Sequence, residues 1–159
     1  MTHISVRSIE RGLIAGFVAT TVLSVVMLIM RLLGIVPQLD LVAILAHALG
    51  SRSVAVGWLA NYVVGVFFWG PLFVWADRKM RFSHSLNGLV FASVVWFGVM
   101  LLIMPLAGEG PYGLKLGIAT PTVTLFLHWL YGVVLGASYG RLLLQWSDDH
   151  STFSGVHHA

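Results

Sequence analysis

Long apolar stretches separated by short polar interruptions set the pattern of this chain. Four of them run over about 13–33, 54–76, 86–107 and 118–144. Each is near the roughly 20 residues that a helix needs to cross a hydrocarbon core of about 30 Å. None alternates polar and apolar residues as a barrel strand does. A lone segment in lipid must also close its own backbone hydrogen bonds, which leaves the helix. The pattern therefore predicts an all-α polytopic membrane protein with four transmembrane helices arranged as two hairpins. Between the first two spans, Asp40 is a natural N-cap and Gly50 a natural helix stop. They predict a short interfacial helix over about 41–49, too short to span. The expected organisation is a single transmembrane domain over 1–146, followed by a polar, flexible tail over 147–159.

Composition agrees with this picture. Of the 159 residues, 58% are apolar and 9% charged, against about 45–50% and about 25% in soluble domains. A core of this size cannot hide so much apolar surface, so lipid must solvate part of it. Arg7 and Arg11 before an apolar run resemble a secretory signal. The uncharged run from Gly12 to Met30 exceeds the usual core of about 7–15 residues and no A-x-A-like site follows, so a retained first span is expected, ended by Arg31, Gly34 and Pro37. The chain has no cysteine, which excludes disulfides, thiolate catalysis and cysteine-ligated metals.

The net charge of +3 comes from cations near the ends of the runs. They read as topology determinants and contacts for anionic headgroups, so nucleic acid is not an expected partner. With the N-terminus inside, the inner side holds Arg7, Arg11, Arg78, Lys79, Arg81 and Arg141, and the outer side Arg31, Arg52 and Lys115. That bias predicts both termini in the cytoplasm. Trp58, Trp69, Trp75, Trp129, Tyr62 and Trp146 supply an aromatic belt. The basic loop from Asp77 to His84 is expected to anchor the inner side.

The clearest packing signal is Gly132, Gly136 and Gly140, spaced by four on one face of the last span, with Gly12 and Gly16 opening the first in the same way. Such faces let backbones approach closely in lipid, either inside the bundle or against another subunit. Gly136-Ala137-Ser138-Tyr139-Gly140 also matches the G-x-S-x-G elbow of hydrolases. That chemistry needs a strand-to-helix turn, and this match sits inside an apolar helix. No catalytic residue is expected, and the protein is not expected to be an enzyme.

His128, in the outer half of the last span, is an ionisable group at depth and a candidate for a haem, pigment or quinone site. The alternative is a neutral histidine hydrogen-bonded to its surroundings through Asn61 or Thr124. Glu109, in a Gly/Pro-rich outer loop, and His47, on the interfacial helix, are candidates for a polar outer site or simply solvated loop groups. Pro71 should kink the second span. The spans carry no Asp, Glu or Lys, which disfavours ion-coupled transport. An echo links Trp58-Leu59, Val63-Val64-Gly65 and Phe68 with Trp129-Leu130, Val133-Val134, Gly136 and Tyr139, a hint of tandem hairpins.

His128-Trp129-Leu130-Tyr131-Gly132 followed by Gly136 and Gly140, together with the opening Arg11-Gly12-Leu13-Ile14-Ala15-Gly16, resembles a group of small bacterial inner-membrane proteins. These are domains of unknown function with four hydrophobic segments and a His-x-x-x-Gly-x-x-x-Gly last span. The resemblance covers about 10–144. It implies a bacterial source and a plasma-membrane location, and no activity. Small size, sparse polar groups and two small-residue faces favour a non-catalytic accessory or scaffold subunit of a larger membrane complex, or self-association. A haem-, pigment- or quinone-binding subunit using His128 is the second expectation, and a small transporter or channel the third. No metal site or resident cofactor is expected.

Overall fold

A computed structural model describes residues 5–35 and 39–154, with side chains to residue 145. Pro37 and residues 155–159 of the expected tail lie outside the described residues. The described chain is helical, without a strand. Helix α1 is Val6–Leu32 and α2 is Leu41–Ala48. Helices α3, Val54–Asp77, and α4, His84–Leu106, follow. A 3-10 segment over Pro111–Leu116 leads to α5, Thr120–Ser154. Four of these, α1, α3, α4 and the Thr120–Gln145 part of α5, are long and apolar enough to cross a membrane.

Local chemistry sets the ends. Ser5 caps α1 by accepting from the Ser8 amide, and Asp40 caps α2 by accepting from the Ala43 amide. Gly34 and Gly50 adopt positive φ (64° and 70°) just past α1 and α2. There the amides of Ile35 and Ser51 turn back to the carbonyls of Met30 and Ala46, a closure that disfavours a residue with a Cβ. Helix α5 continues past 146 to Ser154. No glycine or proline lies between Gly140 and Gly155 to stop it.

Both proline-bearing spans change pitch. Val63–Trp69 of α3 and Val99–Ile103 of α4 are π-helical, just before Pro71 and Pro105. Proline offers no N–H and its ring clashes with the carbonyl four residues back. Widening the preceding turn relieves that conflict.

Helix α1 lies against both α3 and α5, while α4 packs along α5 in the most extensive contact of the bundle. The core sits in the half nearer the termini of α1 and α5, around Ala15, Ala19, Phe73, Val74, Phe91, Leu135 and Tyr139. Phe73 meets Phe91 and Tyr139 edge-on, with centroids 5.6 and 5.8 Å apart. Trp69 packs against this cluster, edge-on to Phe91 at 6.0 Å. Side chains along the outside, such as Phe67, Val94, Phe97 and Phe126, are exposed and apolar, as a lipid-facing surface is.

Candidate functional site

The largest gathering of polar chemistry among the described residues lies at the end of the bundle where α1 begins and α3 turns into α4, and where all four spans meet. Asp77 closes α3 and is buried, 7% exposed. Across the short loop, Nδ1 of His84 lies 3.0 and 2.9 Å from its two carboxylate oxygens. A carboxylate only accepts, so Nδ1 carries the hydrogen. Asn87, one turn further along α4, donates from Nδ2 to Oδ1 of Asp77 at 2.7 Å. The neighbouring Arg78 donates to the Ser8 hydroxyl of α1 at 2.9 Å. Tyr139 of α5 brings its hydroxyl to the Arg78 side chain, close also to Arg11. Its ring stands edge-on to that of His84, 5.8 Å between centroids.

Burying a carboxylate is costly unless it is paired and hydrogen-bonded. Asp77 sits at the C-terminal end of its own helix, where a negative charge is disfavoured. It is compensated by two donors and by the N-terminus of α4, capped by Ser83, which favours an anion. The arrangement fastens the α3–α4 hairpin and fixes the His84 ring. The imidazole side chain remains 42% exposed, with Nε2 as the ring nitrogen able to accept a hydrogen bond. Sequence reasoning saw this segment only as an inner anchor. The available signal was an acidic residue abutting an apolar run, seven positions before a histidine that opens the next one.

All five glycines singled out from the sequence are spent inside this chain. A Cβ on Gly12 would lie 2.5 Å from Val74 Cγ2 and 2.9 Å from the Gly70 carbonyl oxygen. On Gly16 it would lie 2.9 Å from the Gly65 carbonyl oxygen. Gly132 faces Gly88 backbone to backbone, Gly136 rests on the His84 carbonyl, and Gly140 lies against the His84 ring. The helix pairs thus close at glycine, the geometry that earns van der Waals contact where lipid supplies no hydrophobic drive. Gly65 touches Gly16 while its echo Gly136 touches His84, so at this position the echo is not repeated in the contacts.

The candidates expected on the outer side remain separate. Nδ1 of His128 lies 2.8 Å from the Thr124 carbonyl of its own helix, and a carbonyl accepts, so Nδ1 is the donor. Asn61 donates to Ser24 of α1 at 3.3 Å rather than to His128. His47 is exposed on α2, which packs on α3. Glu109 is half-buried in the turn after α4, its amide bonded to the Met104 carbonyl. Among the described residues no hydrogen bond or ion pair joins Glu109 to His47. Nor do three or more His, Asp or Glu side chains converge there as a metal site. Further polar groups within the spans tie helix to helix: Trp96 Nε1 donates to Thr124 Oγ1 at 3.1 Å, Trp129 Nε1 to Ser93 Oγ at 2.9 Å, and Tyr131 to the Gly65 carbonyl at 2.6 Å.

Fold and site together define a four-span helical membrane protein, locked by glycine contacts and closed at one end by a polar junction. The chain belongs to a family of unknown function (DUF6789), whose model matches residues 6–149. No curated protein and no solved structure matches it.

Proposed function

We propose that this protein is a non-catalytic accessory subunit of a larger assembly in a bacterial plasma membrane, with both termini in the cytoplasm. One observation carries the reading: the polar side chains Asn61, Trp96, Thr124, Trp129 and Tyr131 are engaged in bonds between this chain's own helices or within one. Such an interior acts as a lock and leaves the lateral surface to make outside contacts. The glycine faces do not contribute to that surface, because the bundle itself covers them. A shallow groove between α4 and α5, about 430 Å³ and lined by Ser93, Val94, Trp96, Phe97, Leu125 and Trp129, offers a partner's transmembrane helix a seat. The cation bias and the resemblance to bacterial inner-membrane proteins support the location and orientation.

Native purification from the source membrane followed by mass spectrometry tests this. A partner recovered in fixed stoichiometry, and lost when Val94 and Phe97 are replaced by Ala, is the expected result. A homogeneous complex of lipid and this chain alone overturns it.

A second reading, a haem-, pigment- or quinone-binding subunit, is favoured by the posture of His128. Its Nδ1–H is held by a backbone carbonyl, which leaves Nε2 as the nitrogen able to ligate, as in metal-binding histidines. Visible absorption that co-purifies with the chain and disappears in His128→Ala would select this reading over the first.

A further inference from the structure

Positive charge is concentrated at one end of the bundle. Arg7, Arg11, Arg78, Lys79 and Arg81 stand where α1 and α4 begin and α3 ends, with Arg141 in the later part of α5, against Glu10 and Asp77 among the residues whose side chains are described and Asp148 and Asp149 in the sequence beyond. At the opposite end two cations are taken up locally. Arg31 lies 3.8 Å from Asp40, and Lys115 donates to the Gly108 carbonyl at 2.7 Å. Within the positive end, Arg78 is bonded to Ser8, and Arg11 lies near Tyr139. Arg7, Arg81 and Arg141 are different. They are exposed, come from three separate elements, and enter no ion pair among the described residues.

Apolar side chains accompany these cations. Trp75 is 48% exposed near the end of α3, and the Lys79 ammonium lies 3.8 Å from its ring centroid. Phe82, beside Arg81 in the loop, is 63% exposed. A tryptophan paired with a lysine suits the depth at which acyl chains give way to headgroups. Cations flanking such side chains complement phosphate.

We propose that this end of the bundle is a docking surface for the headgroups of anionic phospholipids. Arg7, Arg81 and Arg141 meet the phosphates, while Trp75, Lys79 and Phe82 sit at the boundary with the acyl chains. A lipid phosphate is the ligand, rather than a soluble one, because Trp75 and Phe82 gain contact only against chains. The inference does not depend on the accessory reading. With both termini inside, the lipids concerned are those of the cytoplasmic leaflet.

The test uses the full chain in nanodiscs of mixed phosphatidylglycerol and phosphatidylcholine, with the retained lipids read by native mass spectrometry. Each cation near an anionic surface contributes roughly a fivefold preference before screening. The ratio of phosphatidylglycerol to phosphatidylcholine among the retained lipids is therefore expected to exceed the bulk ratio roughly tenfold or more. Joint Arg7→Gln, Arg81→Gln and Arg141→Gln should return it to the bulk ratio, and Arg31→Gln, Arg52→Gln and Lys115→Gln should not. If the first variant loses its helical circular dichroism, the wild-type chain at low and high salt decides, since headgroup contacts at the surface are screened. No enrichment in the wild type, enrichment insensitive to salt, or equal loss in both triple variants overturns the proposal.

Discussion

Asp77 and His84 close the α3–α4 loop on itself, the imidazole Nδ1 lying 2.9 Å from the carboxylate Oδ2. The same carboxylate takes a second hydrogen bond from Asn87. One side chain therefore holds two points on the following helix. Replacing Asp77 with Ala removes the acceptor from both and leaves the buried amide of Asn87 without its partner. A loss of about 2–3 kcal/mol is expected, measured as the shift in unfolding midpoint in detergent. Asn87→Ala, which leaves the half-exposed His84 bond intact, should cost less.

Gly88 and Gly132 touch backbone to backbone, so neither tolerates a Cβ without moving α4 off α5. Gly132→Ala should destabilise the bundle by about 1–3 kcal/mol through overpacking. Gly98 provides the contrast, because a Cβ there meets nothing within 4 Å. Gly98→Ala should be neutral or stabilising by up to about 1 kcal/mol from helix propensity. Equal effects at the two positions would show that the close approach is not what holds this pair.

Trp129 and Ser93 join α5 to α4 through a bond of 2.9 Å. A double-mutant cycle with Trp129→Phe and Ser93→Ala should return a coupling of about 0.6 kcal/mol and no more than about 1.7, the mean and maximum for such bonds inside membranes. A cycle pairing Trp129→Phe with Thr21→Ala, which bonds elsewhere, should return none.

Because the chain contains no cysteine, single introduced cysteines report orientation directly. Ser83→Cys, in the loop after α3, should react with a membrane-impermeant maleimide only after the cells are opened. Ser51→Cys, in the loop after α2, should react in intact cells. The reverse pattern would reject the cytoplasmic placement of the termini.

The protein's membrane character and the approximate limits of its four spans were legible in residue order. Lipid demands about 20 apolar residues per crossing and satisfied backbone bonds, and both conditions show in a linear pattern. Asp40 and Gly50 likewise bounded α2, since capping acts over a few residues. The same locality made Gly12, Gly16, Gly132, Gly136 and Gly140 visible as contact faces. It did not say against what. Only the packed bundle decided that Gly12 and Gly16 meet Gly70 and Gly65, and that Gly132 meets Gly88. It also brought Ser8, Arg11, Asp77, Arg78, His84, Asn87 and Tyr139 together from four helices. It kept Glu109 and His47 unbonded to each other, though both had been placed on the outer side. Helical periodicity fixes which face a residue occupies, but the neighbour across that face is set by how the whole bundle closes. A polar junction drawn from residues up to 131 positions apart follows from that closure alone.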